Sequence, residues 1–321
     1  MKIRLKKLFM NVIAGIGVVS LVACSQPVDQ EAKDPKETEK QTVEVTHEYG
    51  KTVVEKNPKN IVVFDFGILD ALDYMGVEVK GLPKSGAIPS HLSKFESDEY
   101  VNVGGLKEPD LEKIYEMNPG LIIISGRQAD YYEELSKIAP TLYMGLDSED
   151  YLASFEKNMK VLADIFDKTD IVEKGLAEVN EKIEDLNKKV SEQGLNALVV
   201  LTNEGAVSAY GANSRFGMIH QNFGFKEADE NLGESSTHGS KVSFEYISNI
   251  NPNYLFVIDR GAVVGGDSNA QGTLDNELIN STSAAQNNNI VYLDAAIWYT
   301  ATGGFNSTIK MVDEVLGAIE K

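Results

Sequence analysis

One segment of this chain occurs twice, once in each half. The stretch LEKIYEMNPGLIIISGR runs from Leu111 to Arg127, and FEYISNINPNYLFVIDR runs from Phe244 to Arg260. Each copy contains a glutamate, a short amphipathic helix that ends at Asn-Pro, an apolar strand and a final arginine. The helix ends there because the residue before a proline is disfavoured in the helical region. A continuous apolar strand is typical of a parallel sheet buried on both faces. The repeat therefore predicts an α/β chain with two similar lobes.

Each repeat places an arginine at the carboxyl end of a buried strand. In open α/β sheets, ligands bind outside the carboxyl ends of the strands. If the strand ends of the two lobes face each other, Arg127 and Arg260 point into one cleft. Arg215, which follows the glycine-marked turn YGANSRFG, is a third candidate. The alternative is that these arginines are solvated loop residues, as most arginines are. Matched placement in two copies favours an anion receptor.

The domain organisation follows from the repeat and from a helical pattern between its copies. Residues 46–167 are expected to form an N-terminal lobe, residues 168–193 a connecting helix and residues 194–321 a C-terminal lobe. Apolar residues between Ile171 and Val190 recur mostly at a spacing of three or four. This spacing predicts one continuous helix about 35 Å long. We expect each lobe to be a mainly parallel sheet flanked by helices, and closure between the lobes to be small.

The first residues are typical of a targeting segment. Basic residues from Lys2 to Lys7 precede an apolar run that ends in LVAC, whose Cys24 is the one cysteine of the chain. This pattern predicts a lipoprotein signal peptide over residues 1–23 and lipidation of Cys24. A cleaved secretory signal with an incidental cysteine is the alternative. The polar stretch that follows cannot bury enough surface to fold, so residues 24–45 are expected to be a lipidated, disordered tether.

The formal net charge of −19 at pH 7 limits the partners. It disfavours nucleic acid and anionic lipid surfaces, so the expected membrane link is the acyl group alone. An anionic ligand is still compatible with this charge. The Debye length is about 8 Å in physiological salt, so a local cluster of arginines outweighs distant surface carboxylates.

Four further side chains are candidates because of their positions. His238 lies in the small-residue loop GESSTHG just before the second repeat, where a solvated histidine is the alternative. Trp298 and Tyr299, in WYTATGG, follow a strand end, where an aromatic pair can equally belong to the core. Lys84, in LPKSG, follows a first-lobe strand and is a secondary candidate together with Trp298; a solvated loop lysine is the simpler interpretation.

Five short segments together carry a family resemblance. They are SGR at 125–127, ANSRFG at 212–217, STHG at 236–239, DRG at 259–261 and WYTATGG at 298–304. Their combination resembles the substrate-binding lipoproteins of iron siderophore ABC transporters, most closely the catecholate branch that takes up petrobactin and enterobactin-type ligands. The resemblance covers essentially the whole chain after the signal peptide. It implies a two-lobed periplasmic-binding-protein fold of the helical-backbone type.

The resemblance also implies roles for the candidate residues. Arg127, Arg215 and Arg260 would hold an anionic ferric complex. His238 and Tyr299 would bind the ligand and complete the iron coordination when the siderophore supplies only four catecholate oxygens. Independently of the resemblance, three guanidinium groups match the three negative charges of a ferric tris-catecholate, and their planar donors suit its oxygens.

Glu112 and Glu245 gain a role from the same resemblance, because in this class one exposed glutamate on each lobe docks onto arginines of the permease. Their equivalent places in the repeat suit docking on a pseudo-symmetric partner. Solvated carboxylates on a helix face are the alternative. The expected protein is a monomer, lipid-anchored on the extracytoplasmic face of a cell membrane of Gram-positive origin. It would deliver its ligand without chemical conversion and without a cofactor.

Other functions fit the sequence less well. A receptor for haem or a corrinoid on the same fold is the nearest alternative. A receptor for bare metal ions would need clustered ligands, and the histidines at positions 47, 91, 220 and 238 are scattered. A surface hydrolase would use His238 as a base, but the chain has no GxSxG or HExxH motif. A structural adhesin would not need arginines at strand ends in a cleft.

Overall fold

The described part of the chain forms two large sheets, one before and one after a long helix, and a separate two-stranded sheet near its start. The computed structural model describes residues 41–232, 239–266 and 269–321. In the first lobe the elements are β1 (Thr42–His47), β2 (Gly50–Glu55), β3 (Ile61–Val63), α1 (Phe66–Tyr74), β4 (Gly81–Leu82), β5 (Val101–Asn102), α2 (Leu111–Glu116), β6 (Leu121–Ile124), α3 (Tyr132–Ile138), β7 (Thr141–Tyr143) and α4 (Tyr151–Phe166), with 3-10 turns at Ser90–Glu96 and Gly126–Tyr131.

The first sheet is entirely parallel, with strand order β5-β4-β3-β6-β7. All four residues of β6 are buried, as a continuous apolar strand in a parallel sheet should be. Because β3 and β6 are neighbours, their carboxyl ends place Asp65 and Arg127 at the same edge. Asp65 then accepts hydrogen bonds from the backbone N–H groups of Gly67 (2.9 Å) and Ile68 (3.0 Å) and so caps α1.

The tether predicted over residues 24–45 is wrong at its end, because β1 begins at Thr42. Its alternating valines pair with β2 in an antiparallel hairpin, and Val45 and Val54 enter the core.

The signal peptide, Cys24 and the rest of the predicted tether lie outside the described residues. Within the described part of the chain, no helix combines the length and the apolar character needed to cross a bilayer.

The predicted connecting helix is present as α5 (Thr169–Gln193), which packs against α4. It ends at Gly194, whose φ of 64° is the left-handed conformation that glycine adopts at low cost. The buried face is close to the predicted one, with one shift. Ile171 is 37% exposed, and its neighbour Val172 turns to the core instead.

The second lobe has a mixed sheet. In chain order its elements are β8 (Asn196–Asn203), β9 (Ala206–Tyr210), α6 (Met218–Gln221), β10 (Lys226–Glu227), β11 (Ser240–Val242), α7 (Phe244–Ile250), β12 (Tyr254–Asp259), α8 (Gly261–Val264), α9 (Ala270–Leu274), α10 (Glu277–Asn280), α11 (Ser283–Gln286), β13 (Ile290–Leu293) and α12 (Phe305–Ile319), with a π-helical turn at Ala296–Thr300. The strand order is β11-β9-β8-β12-β13, and β10 also pairs with β8. β9 runs antiparallel to both β8 and β11, and Glu204 and Gly205 (φ 51° and 77°) close the tight hairpin between β8 and β9.

The two lobes interlock through α12, which packs on both α1 and α5. The buried carboxylate of Asp70, on α1, accepts hydrogen bonds from the backbone N–H of Ser307 (2.8 Å) and from the side chain of Asn306 (2.7 Å). Gly67 lies so close to Thr302 that it leaves no room for a side chain. The final helix assigned to the C-terminal lobe thus shares a core with the N-terminal lobe, and residues 298–304 are held between the two.

Candidate functional site

The π-helical turn at Ala296–Thr300 directs two neighbouring aromatic side chains to different environments. Trp298 is 0% exposed, and its indole N–H donates to the carboxylate of Glu314 at 2.8 Å. Tyr299 is half-buried and faces the space between the lobes. Wide helical turns of this kind are frequent at functional sites because they redirect side chains.

Three guanidinium groups surround Tyr299. Arg127, from the first lobe, donates to the main-chain carbonyl oxygen of Tyr299. Arg215, from the loop after β9, donates to the same oxygen at 3.0 Å. Arg260, directly after β12, donates through Nε to the Tyr299 hydroxyl at 3.1 Å. Their Cζ atoms lie 5.4, 4.1 and 6.0 Å from the centre of the tyrosine ring. Arginines from both lobes therefore converge on one residue.

In the described part of the chain, few negative charges lie close to these three guanidinium groups. Among the residues that the structure describes, no carboxylate oxygen lies within 4.0 Å of the three guanidinium groups. Burial, and next the charge of Arg127, lower the pKa of Arg215. The nearby Asp65 interacts electrostatically with Arg127, but its carboxylate is occupied in capping α1. An anion bound here would relieve the repulsion between like charges.

The phenol of Tyr299 responds to this environment. Burial raises the pKa of the Tyr299 hydroxyl, but the hydrogen bond from Arg260 and the charges of all three arginines outweigh burial. The pKa therefore lies below its ordinary value, and the phenolate form is more accessible than in a solvated tyrosine. A phenolate oxygen is a hard donor suited to ferric iron.

A cavity of about 700 Å³ opens above Tyr299. Arg127, Arg260 and Tyr299 form its polar floor, while Lys107 and Glu108 also line it. Apolar wall residues come from both lobes: Phe66, Pro83, Leu106, Ala262, Val263 and Val264. Volume, apolar walls and a few convergent polar groups are the features of a small-molecule site.

Three predicted ligand residues occupy other places. Arg215 lies beneath Tyr299 and is not among the residues that line the cavity, so it acts on the site through its charge. Trp298 is a correction, because it is fully buried and cannot contact a ligand in the cavity. Lys84 is a second correction. Its ammonium group donates to the backbone carbonyl oxygens of Ser97 (2.9 Å) and Tyr100 (3.3 Å), and it does not line the cavity.

The remaining predicted residues are distributed as follows. His238 lies outside the described residues. Glu112 and Glu245 are both exposed and occupy the first turns of the equivalent helices α2 and α7. Among the described residues, no group of three or more His, Cys, Asp or Glu side chains is placed to hold a metal ion.

Two residues at the site were missed in the sequence. Asn203 accepts a hydrogen bond from Nη1 of Arg260 at 2.7 Å. Gln128 is fully buried and accepts from the backbone N–H of Ser125 (3.1 Å) while donating to the carbonyl of Leu106. It thereby joins the segment that carries Arg127 to a cavity loop. Asn203 could have been found from its place at the end of an apolar strand, whereas the sequence gives no sign of the Gln128 contacts.

Comparison with known proteins identifies the class. The periplasmic binding protein family matches residues 61–297, and the chain belongs to that family. The chain is 44% identical to the petrobactin-binding protein YclQ of Bacillus subtilis over 99% of this chain and 100% of that one. It is 29% identical to the ferric-anguibactin-binding protein FatB of Vibrio anguillarum, over 94% and 97% of the two chains.

Solved structures are similar over most of their length. The crystal structure of YclQ matches with a TM-score of 0.86 and 45% identity, covering 88% of this chain and 100% of that chain. The periplasmic catecholate-siderophore binding protein VctP of Vibrio cholerae matches with a TM-score of 0.82 and 36% identity, covering 86% and 100%. The predicted family and the two-lobed fold are confirmed.

Proposed function

We propose that this protein is an extracytoplasmic receptor that binds a ferric catecholate siderophore and delivers it to an ABC permease. One observation carries the proposal. Arginines from opposite lobes meet at Tyr299, on the floor of a cavity of about 700 Å³, without a carboxylate partner in the described part of the chain. The names of the relatives support a ligand of this kind, since they include a petrobactin-binding and a catecholate-siderophore binding protein.

The electrostatics suit a ferric tris-catecholate. At about 5 Å and an effective dielectric constant of 20, each pair of unit charges attracts by roughly 3 kcal/mol before desolvation, which removes much of this energy. The apolar walls would contact the aromatic rings of such a ligand, and the arginines would face its oxygens. We further propose that Cys24 carries the lipid anchor that keeps the receptor at the membrane.

A fluorescence titration tests the proposal. Trp298 is the single tryptophan of the chain and lies next to Tyr299. A ferric catecholate bound in the cavity should quench its emission by energy transfer. We expect saturable quenching with one equivalent of ferric petrobactin or a ferric enterobactin analogue, and no saturation with free N-acetyltryptophanamide. Absence of saturable quenching by every ferric catecholate would end the proposal. Equal affinity for haemin would instead favour the haem alternative.

Tyr299→Phe should separate two types of ligand. Removing the hydroxyl deletes an available iron donor, so complexes with only four catecholate oxygens should lose about tenfold or more in affinity. Complexes with six oxygens already fill the iron coordination and should lose about threefold at most. The measurement is the same titration with both ligand types. Equal losses would remove Tyr299 from the proposed coordination shell, which His238 would otherwise complete.

If Glu112 and Glu245 dock onto the permease, their loss should reduce iron transport but leave siderophore binding intact. Both side chains are exposed and neither lines the cavity, so the double change to alanine should leave siderophore affinity within about twofold of wild type. Iron uptake into cells should fall at least about tenfold, because two charged contacts with the permease are lost. A matched control is Glu116→Ala with Glu277→Ala, which removes two other exposed helix carboxylates. Unchanged uptake in the first variant would contradict the docking role.

A further inference from the structure

Asn203 and Arg260 are in contact at the carboxyl edge of the second sheet. Asn203 is the last residue of β8, and Arg260 follows the last residue of β12. The two strands are parallel, with Thr202 paired to Asp259, and the backbone N–H of Arg260 donates to the carbonyl of Thr202 at 3.0 Å. The sheet register therefore fixes the two side chains next to each other.

Two nitrogens of the Arg260 guanidinium group donate hydrogen bonds to neighbouring side chains. Nη1 donates to the side-chain oxygen of Asn203 at 2.7 Å, and Nε donates to the hydroxyl of Tyr299 at 3.1 Å. Two hydrogen bonds from different nitrogens define the plane of a guanidinium group, whose donors have a fixed geometry. Arg260 lines the cavity in this orientation.

The Asn203 oxygen that accepts from Arg260 is uncharged, and this matters for the charge of the site. An amide oxygen accepts a hydrogen bond without carrying a charge, whereas a carboxylate at the same place would form an ion pair with Arg260. The neighbouring carboxylate of Asp259 is directed elsewhere, since it accepts from the backbone N–H groups of Gly261 (3.0 Å) and Ala270 (2.9 Å). Arg260 is thus oriented by neutral oxygens.

We propose that Asn203 is a positioning residue for anion binding: its neutral oxygen orients Arg260 toward the cavity without cancelling the charge of the guanidinium group. This inference rests on the proposed function and adds a residue that sets the preference for anionic ligands. A residue needed only for structure would tolerate aspartate better than alanine, because aspartate has nearly the same shape and keeps the acceptor. A residue that must stay neutral gives the opposite order.

The test compares the affinities of Asn203→Asp and Asn203→Ala for a ferric tris-catecholate. We expect a loss of about 100-fold for aspartate, which pairs with Arg260 and repels the anion, and about fivefold for alanine, which only frees the guanidinium group. The matched control is Asn196→Asp, at the other end of β8. Asn196 accepts from the backbone N–H of Asn253 at 2.7 Å, and the strand places it about 23 Å from Asn203. This control should stay within about twofold of wild type, since screening weakens so distant a charge.

A smaller loss for Asn203→Asp than for Asn203→Ala would overturn the inference. A second measurement needs no siderophore and separates this inference from the proposed function. The signal of the Arg260 Nε–H is assigned by its loss in Arg260→Lys. In ligand-free wild-type protein this hydrogen should exchange slowly with solvent. In Asn203→Ala it should exchange at least about tenfold faster. If wild type binds no ferric catecholate, the proposed function fails while this exchange still reports the positioning. Equal exchange in wild type and Asn203→Ala would refute the positioning itself.

Discussion

Replacing Arg127 and Arg260 together by glutamine should lower the affinity for a ferric tris-catecholate by about 1000-fold or more. Each guanidinium group lines the cavity and contributes a unit of positive charge close to the ligand. If each retains about 2 kcal/mol of its attraction after desolvation, the pair contributes about 4 kcal/mol, which corresponds to roughly three orders of magnitude in affinity. Glutamine keeps donors and much of the volume, so the effect isolates charge. Titration of Trp298 fluorescence measures it.

Lys84→Gln is the matched control for this experiment. It removes one positive charge from the same lobe as Arg127, but its ammonium group is bound to the carbonyl oxygens of Ser97 and Tyr100 and does not line the cavity. Its affinity should stay within about threefold of wild type, because the ammonium group is held by backbone carbonyl oxygens and is not directed into the cavity. A double arginine variant that binds as tightly as Lys84→Gln would contradict the site.

Gly67→Ala should destabilise the whole protein by about 3 kcal/mol or more. A methyl group at Gly67 would overlap the carbonyl oxygen of Thr302 and lie 2.8 Å from its carbonyl carbon. Both atoms belong to backbone, so the lobes must move apart to relieve the overlap. Siderophore affinity should fall as well, since Arg127 and Arg260 reach the cavity from opposite lobes. Urea denaturation measures the free energy of unfolding.

The control is Gly317→Ala, in the exposed face of α12. A side chain there meets nothing within 4 Å, and alanine favours the helix over glycine, so stability should rise by up to about 1 kcal/mol. Since α1 is also a helix, the same substitution at Gly67 would stabilise it if the contact with Thr302 did not exist. A Gly67→Ala protein as stable as wild type would show that α1 does not lie against residue 302.

Much of the fold was predictable because the repeat and the helical spacing report burial directly. Apolar runs identified β6 and β12, and the pattern around Val179 and Ile183 identified α5. The β1–β2 hairpin was missed because Val43 and Val45 stand among polar residues that dominate the composition. Two alternating valines are too short a pattern to predict a strand, and their burial here depends on pairing with β2.

The charged residues of the site could be predicted from the sequence, whereas the arrangement of its side chains was less predictable. Strand-end positions located Arg127 and Arg260, because parallel sheets gather such residues at one edge. The opposite environments of Trp298 and Tyr299 follow from a π-helical turn, which no spacing rule reveals. Arg215 lies under the ring of Tyr299 because of a loop conformation that depends on contacts distant in sequence.

The most direct test of the central claim is the position of iron in a crystal of the protein with ferric petrobactin. Anomalous scattering measured at the iron absorption edge locates the metal independently of the protein atoms. We expect one strong peak in the interlobe cavity, above Tyr299 and between the guanidinium groups of Arg127 and Arg260. A fully occupied iron site away from these arginines would contradict the account.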